Sequence, residues 1–147
     1  MPLPSDSLIL LSDWSEMPIQ HLRPDDQVLA YDFGRHDFRA ARVIRVLDAG
    51  YQAIFRFRHD YGIVDCTRSH KVCGCAASRE YKTLRMMYAV RGHCPIVVRS
   101  TIGAPALSHL SAEGFVCKDN TWVVLIDHPD AAIVCNGLVL VNQPEVR

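Results

Sequence analysis

Asp65-Cys66-Thr67-Arg68-Ser69-His70 is the stretch on which the reading of this chain turns. It follows a strand-like run, Tyr51-Gln52-Ala53-Ile54-Phe55-Arg56-Phe57-Arg58. A hydroxyl and an imidazole three residues apart, past the end of a strand, can both face one backbone carbonyl. Hydrogen bonding and proton transfer at such a place polarise or strain a peptide bond. Which bond they would act on depends on which parts of the chain return to this spot.

On the N-terminal side the pattern is one of short strands and turns. Leu8 to Leu11 is an apolar strand, and Ser12 to Glu16 reads as a turn. Arg23-Pro24-Asp25-Asp26 is a second turn, followed by a strand at Gln27 to Asp32 and a hairpin loop at Phe33 to Asp37. Arg39 to Leu47 alternates in part, through Ala41, Val43 and Val46. Asp48-Ala49-Gly50 reads as a turn before Tyr51, Ala53, Phe55 and Phe57, which share a face. Beyond His70, residues 78–90 are the best helix candidate and Ser100 to Gly114 reads as a loop. The end is strand-like again: Thr121 to Asp127, then Ala132 to Cys135 and Leu138 to Val141 around Asn136-Gly137, a strong hairpin signal. Strands at roughly ten-residue spacing predict an all-β fold.

Composition narrows the class. A chain of 147 residues, 49% of them hydrophobic, reads as one globular domain over 1–147, with a core from about 6 to 142. The formal net charge of zero gives no electrostatic footprint for nucleic acid. No apolar run approaches the ~18 residues of a membrane helix. Met1 to Ser5 lacks the features of a signal peptide. Six cysteines are sparse for a disulfide scaffold, so a reduced, cytoplasmic or otherwise intracellular chain is expected, although the even count leaves disulfides open. A monomer is expected.

Three separated segments together resemble one family. Asp6-Ser7-Leu8-Ile9-Leu10, with Met17-Pro18-Ile19, Leu22 and Asp26 to Asp32, is similar to the opening block of Hint domains, the self-processing domains of inteins and hedgehog proteins. Cys66-Thr67-Arg68-Ser69-His70 resembles that family's Thr-x-x-His block, and Ile133 to Asn142 its closing block. The resemblance implies a horseshoe of short strands with pseudo-two-fold symmetry, in which both chain ends meet beside the Thr/His pair. It implies autocatalytic splicing or cleavage, a single-turnover rearrangement of the chain's own flanking segments. A first-position Cys or Ser attacks the preceding carbonyl, Thr and His activate that bond, and a terminal Asn cyclises.

Carried onto this sequence, the resemblance assigns Thr67 and His70 to activation and Asn142 to C-terminal cleavage. The nucleophile position falls on Pro2, which has no nucleophilic side chain, and Ser5 lies three residues later. Val141 stands where an assisting His is expected, and Gln143 where splicing inteins place Cys, Ser or Thr. The His of the closing block falls near Ala131, with His128 three residues earlier as a substitute. Asp65, Asp127 and Asp130 are candidates to orient His70 or His128, Asp127 first among them. Cys66 and Cys135 read as small buried hydrophobes.

The rival chemistry is a structural zinc site on Cys73, Cys75, His93 and Cys94, with a Cys-x-Cys spacing tighter than usual. No other cofactor is expected. The sequence carries neither a G-x-S-x-G motif nor a Gly-rich phosphate loop. The alternative to self-processing is a degenerate Hint-like module that binds a partner.

Overall fold

The computed structural model describes residues 2–32, 34–35, 37–75, 81–85, 94–98 and 105–141. Among them are thirteen strands and one 3-10 turn, Ile19–His21. The first four strands are β1 (Leu3–Pro4), β2 (Leu8–Leu10), β3 (Glu16–Pro18) and β4 (Gln27–Asp32). Two long strands follow the same numbering, β5 (Asp37–His59) and β11 (Leu110–Ile126). Between them lie β6 (Gly62–Cys66), β7 (Lys71–Cys75), β8 (Tyr81–Arg85), β9 (Cys94–Val98) and β10 (Pro105–Leu107). The chain closes with β12 (Ala132–Cys135) and β13 (Leu138–Val141). The pairings are antiparallel, in the order β1-β11-β5-β4-β12-β13-β7-β9-β10. The fold is all-β, as the spacing of strands and turns predicts.

β5 organises the molecule because it changes partners. Its first part pairs with β4, from Asp32 opposite Asp37 to Gln27 opposite Arg42. Its remainder pairs with β11 from Val43 opposite Ile126 to His59 opposite Leu110, and its last five residues also hold β6.

The expected turn at Asp48-Ala49-Gly50 is instead a bulge inside β5. The register passes from Thr121 opposite Gly50 to Trp122 opposite Asp48, leaving Ala49 as the extra residue. The Asp48 carboxylate accepts the Gly50 N–H at 2.8 Å, and the Thr121 hydroxyl donates to the Gly50 carbonyl at 2.8 Å. With a partner strand alongside, turn-forming residues bend the ladder rather than end it. The same happens at Gly114, φ 106°, where a register shift keeps β11 continuous through what reads as loop sequence. The expected loop at Ser100 to Gly114 therefore contains β10 and the start of β11.

The helix expected over 78–90 is a correction of another kind. Its described part, Tyr81–Arg85, is a strand paired with Lys71–Cys75. Long-range pairing outweighs a weak helical preference.

The Asn136-Gly137 hairpin forms as the sequence predicts. Both residues have positive φ, 47° and 81°, the backbone that a tight two-residue turn requires. All eight residues of β12 and β13 are buried, because the hairpin separates two apolar clusters. Ile133, Cys135, Leu138 and Leu140 enter the larger, with Leu3, Ile9, Phe57 and Cys66. Ala132, Val134, Val139 and Val141 enter the smaller, with Leu29, Tyr31 and Ile96. A strand covered on both faces reads as a continuous apolar run rather than an alternating one. Among the described residues, no helix is long and apolar enough to cross a membrane.

Candidate functional site

β6 ends at Cys66, and the chain turns at once: the His70 N–H donates to the Thr67 carbonyl at 3.3 Å. This turn carries Thr67 and His70 into the interior, where they are 4% and 0% exposed. β7 begins at the next residue, and Lys71 lies opposite Val141 of β13. The first strand comes to the same place from the other side. Leu3 pairs with Trp122 and is fully buried, and Pro2 before it is buried too. The Thr67 hydroxyl lies 3.4 Å from the Pro2 carbonyl, at the long end of hydrogen bonding, and 3.4 Å from the Ser69 hydroxyl. Three separated pieces of sequence thus meet: residue 2, the Thr67–His70 turn, and the end of β13.

His70 is the least satisfied group here. Among the described residues, neither Nδ1 nor Nε2 has a hydrogen-bond partner. Burial lowers its pKa to about 3, with the charge of the amino terminus acting in the same direction. The Pro2 carbonyl works the other way, but it lies outside hydrogen-bonding geometry with the ring. His70 is therefore a neutral imidazole at any pH near 7. An unpaired buried polar group of this kind costs about 1–3 kcal/mol, and such groups concentrate at functional sites.

The two interior thiols behave differently. Burial pushes Cys66 well up and raises Cys135 to about 12, the nearby Ser7 hydroxyl partly opposing the latter. Neither is a thiolate near neutral pH, so neither is a ready nucleophile. Ser5, the other nucleophile near the start, accepts a hydrogen bond from the Trp122 indole N–H at 3.0 Å.

The remaining candidates lie elsewhere or outside the described residues. Asp127 is exposed, and its N–H donates to the Arg42 carbonyl at 2.9 Å. The Nε2 of His128 is 3.7 Å from the Asp32 carboxylate, and its Nδ1 accepts the Asp130 N–H at 3.2 Å. Asp32, His128 and Asp130 could present metal ligands within 4.8 Å of one another. The imidazole is poorly prepared to bind an ion there, because Nδ1 is occupied as an acceptor and the proton is left on Nε2. Asn142, His93 and the side chains of Cys73, Cys75 and Cys94 fall outside the described residues. The backbone register does put Cys75 opposite Cys94.

Sequence reasoning passed over His59, a buried histidine at the end of β5. The available signal was its position in phase with Phe55 and Phe57.

An all-β molecule whose first residues return to a Thr-x-x-His turn, beside the last strand of the closing hairpin, has the Hint-type fold of inteins. Solved structures agree over nearly the whole chain. The DnaB intein from Synechocystis sp. PCC 6803 superposes with a TM-score of 0.83 at 15% identity, over 97% of this chain and 99% of that one. The DnaX mini intein from Spirulina platensis gives 0.74 at 18%, over 97% and 100%. The bacterial intein-like domain from Clostridium thermocellum gives 0.67 at 12%, over 97% and 98%. No protein-family model and no curated protein matches the sequence. At these identities the likeness is one of fold.

Proposed function

We propose that this chain is a self-processing domain, or derives from one, whose substrate is the peptide bond before residue 2 and the one after Asn142. The observation that carries this reading is the meeting of Pro2 with Thr67 and a fully buried His70 that has no hydrogen-bond partner among the described residues. In this reading Thr67 donates a hydrogen bond at the N-terminal junction. Neutral His70 takes the proton of an attacking thiol or hydroxyl and returns it to the leaving nitrogen, so that acyl transfer balances without a charged resting imidazole. At the other junction the Asn142 side-chain nitrogen attacks its own carbonyl. A succinimide forms and the Asn142–Gln143 bond breaks. Val141, in place of an assisting histidine, makes that step slow.

A second reading, a partner-binding module that has lost its chemistry, is favoured by Pro2 itself. A proline supplies no nucleophile, and its nitrogen is tertiary. One experiment separates the two. The chain is fused to short peptides at both ends, with Pro2→Cys, and its intact mass is followed at neutral pH with dithiothreitol. Thiol-dependent release of the N-terminal peptide, lost in His70→Ala, is expected. Loss of the C-terminal peptide, abolished by Asn142→Ala, would identify the second cleavage. Unchanged masses throughout would leave the binding module.

A further inference from the structure

The Asn136-Gly137 turn is held from three directions. Asn136 exchanges two hydrogen bonds with Leu8 of β2: its N–H donates to the Leu8 carbonyl at 3.0 Å, and its side-chain oxygen accepts the Leu8 N–H at 3.2 Å. The Gly137 carbonyl accepts the Val98 N–H of β9 at 2.7 Å. The third hold is a side chain. His59, at the end of β5 and 5% exposed, donates from Nε2 to the Asn136 carbonyl at 2.9 Å.

The protonation of this ring is fixed by its partners. Its Nδ1 accepts the Tyr61 N–H at 3.2 Å, so the single proton belongs on Nε2. Two glycines make room for it. A Cβ on Gly137 would sit 3.2 Å from the ring's Cε1, and one on Gly62 3.5 Å away. One imidazole therefore joins the β5–β6 corner to the turn of the closing hairpin.

We infer that His59 is a latch that seats the β12–β13 hairpin, and that it holds only while the ring is uncharged. A second proton can go only to Nδ1. There it meets the Tyr61 N–H, so an acceptor becomes a second donor facing a donor. The contact breaks, and the ring must turn out of a slot that the two glycines fit to it. Burial already holds this histidine below its ordinary value, against the pull of the Asn136 carbonyl and of Asp60. Among the described residues, the charged and titratable groups that share its groove are Arg58, Asp60, Tyr61 and His109. Arg58 is itself paired with Glu113. From β6 and the turn, the ring meets Gly62, Asn136 and Gly137, none of which titrates.

On the processing reading, the other end of this hairpin delivers Asn142, and His59 is a positioning residue for that step. That consequence rests on the proposed function. The latch does not, and its test needs no cleavage.

The test is amide hydrogen exchange on the intact chain from pH 8 to pH 5, corrected for intrinsic rates. The amides of Leu8 and Val98, which bind the turn, are expected to lose protection at least about tenfold more than those of Leu29 and Tyr31 in β4. His59→Gln offers a side-chain N–H that does not titrate and should flatten this response. His59→Phe should leave the turn amides fast at every pH. If His59→Phe does not fold, the wild-type and glutamine series still decide. Equal loss of protection in β4 and at the turn, no loss at either, or a pH response that survives His59→Gln would each overturn the latch.

Discussion

At the scale of single residues, His70 carries the strongest physical constraint. In the unfolded chain it takes up a proton near its ordinary value of 6.5, and in the folded chain only near pH 3. The unfolded state therefore binds the proton first. The stability held by neutral His70 is complete above pH 6.5 and is lost progressively as the pH falls toward 3. The gap corresponds to about 4–5 kcal/mol, a large share of a domain's stability. Urea denaturation between pH 7.5 and 4.5 should show the midpoint falling, with a smaller decline in His70→Gln. Equal slopes in the two chains would mean that His70 is not buried as a neutral ring. The sequence singles this residue out only through context, because the Thr-x-x-His spacing is weak by itself and gains weight from standing in order between two blocks that resemble the same family. His59 has no such context. A histidine closing an alternating strand reads as a solvated end, and only the tertiary approach of Asn136 gives it a role.

At the scale of elements, turn residues decide where strands end only when no partner strand is present. Gly50 and Gly137 illustrate the difference. Both have φ near +85°, 89° and 81° respectively. A Cβ on Gly50 would meet nothing within 4 Å, whereas one on Gly137 would sit 3.2 Å from His59 and 3.3 Å from the Val98 carbonyl. Gly50→Ala should cost only the left-handed backbone penalty, about 1–2 kcal/mol. Gly137→Ala should cost clearly more, since a packed ring and a strand carbonyl must also move. Thermal unfolding of the two variants side by side checks the order. The Asn136-Gly137 turn was legible because its demand is local. The Ala49 bulge was not, because it exists only against Thr121 and Trp122, some 70 residues away in sequence. The strand at Tyr81–Arg85 was hidden for the same reason, its register being set by Lys71–Cys75.

At the scale of the whole molecule, the pairing is dominated by distant segments. β1 lies on β11, β2 on β12, and β13 on β7. Closing such loops before any contact rewards them makes folding slow. The central position of β12 and β13 has a sharper effect. A chain ending after Ile126 would lose the wall between both apolar clusters. It should show no cooperative urea transition; a sharp one would mean that the two clusters can meet without the hairpin. The overall class was legible from strand spacing and the ordered blocks. The two-sided burial of the hairpin was foreshadowed only by its uninterrupted apolar sequence.

That hairpin also imposes an order in time. A ribosome makes Ala132 to Val141 after every other described strand, yet these residues fill the middle of the molecule rather than its rim. Until they emerge, Lys71 has no Val141 opposite it, and the larger apolar cluster lacks Ile133, Cys135, Leu138 and Leu140. Both apolar clusters therefore stay incomplete until the closing hairpin has joined them. The direction of synthesis thus brings the most central of the described strands last.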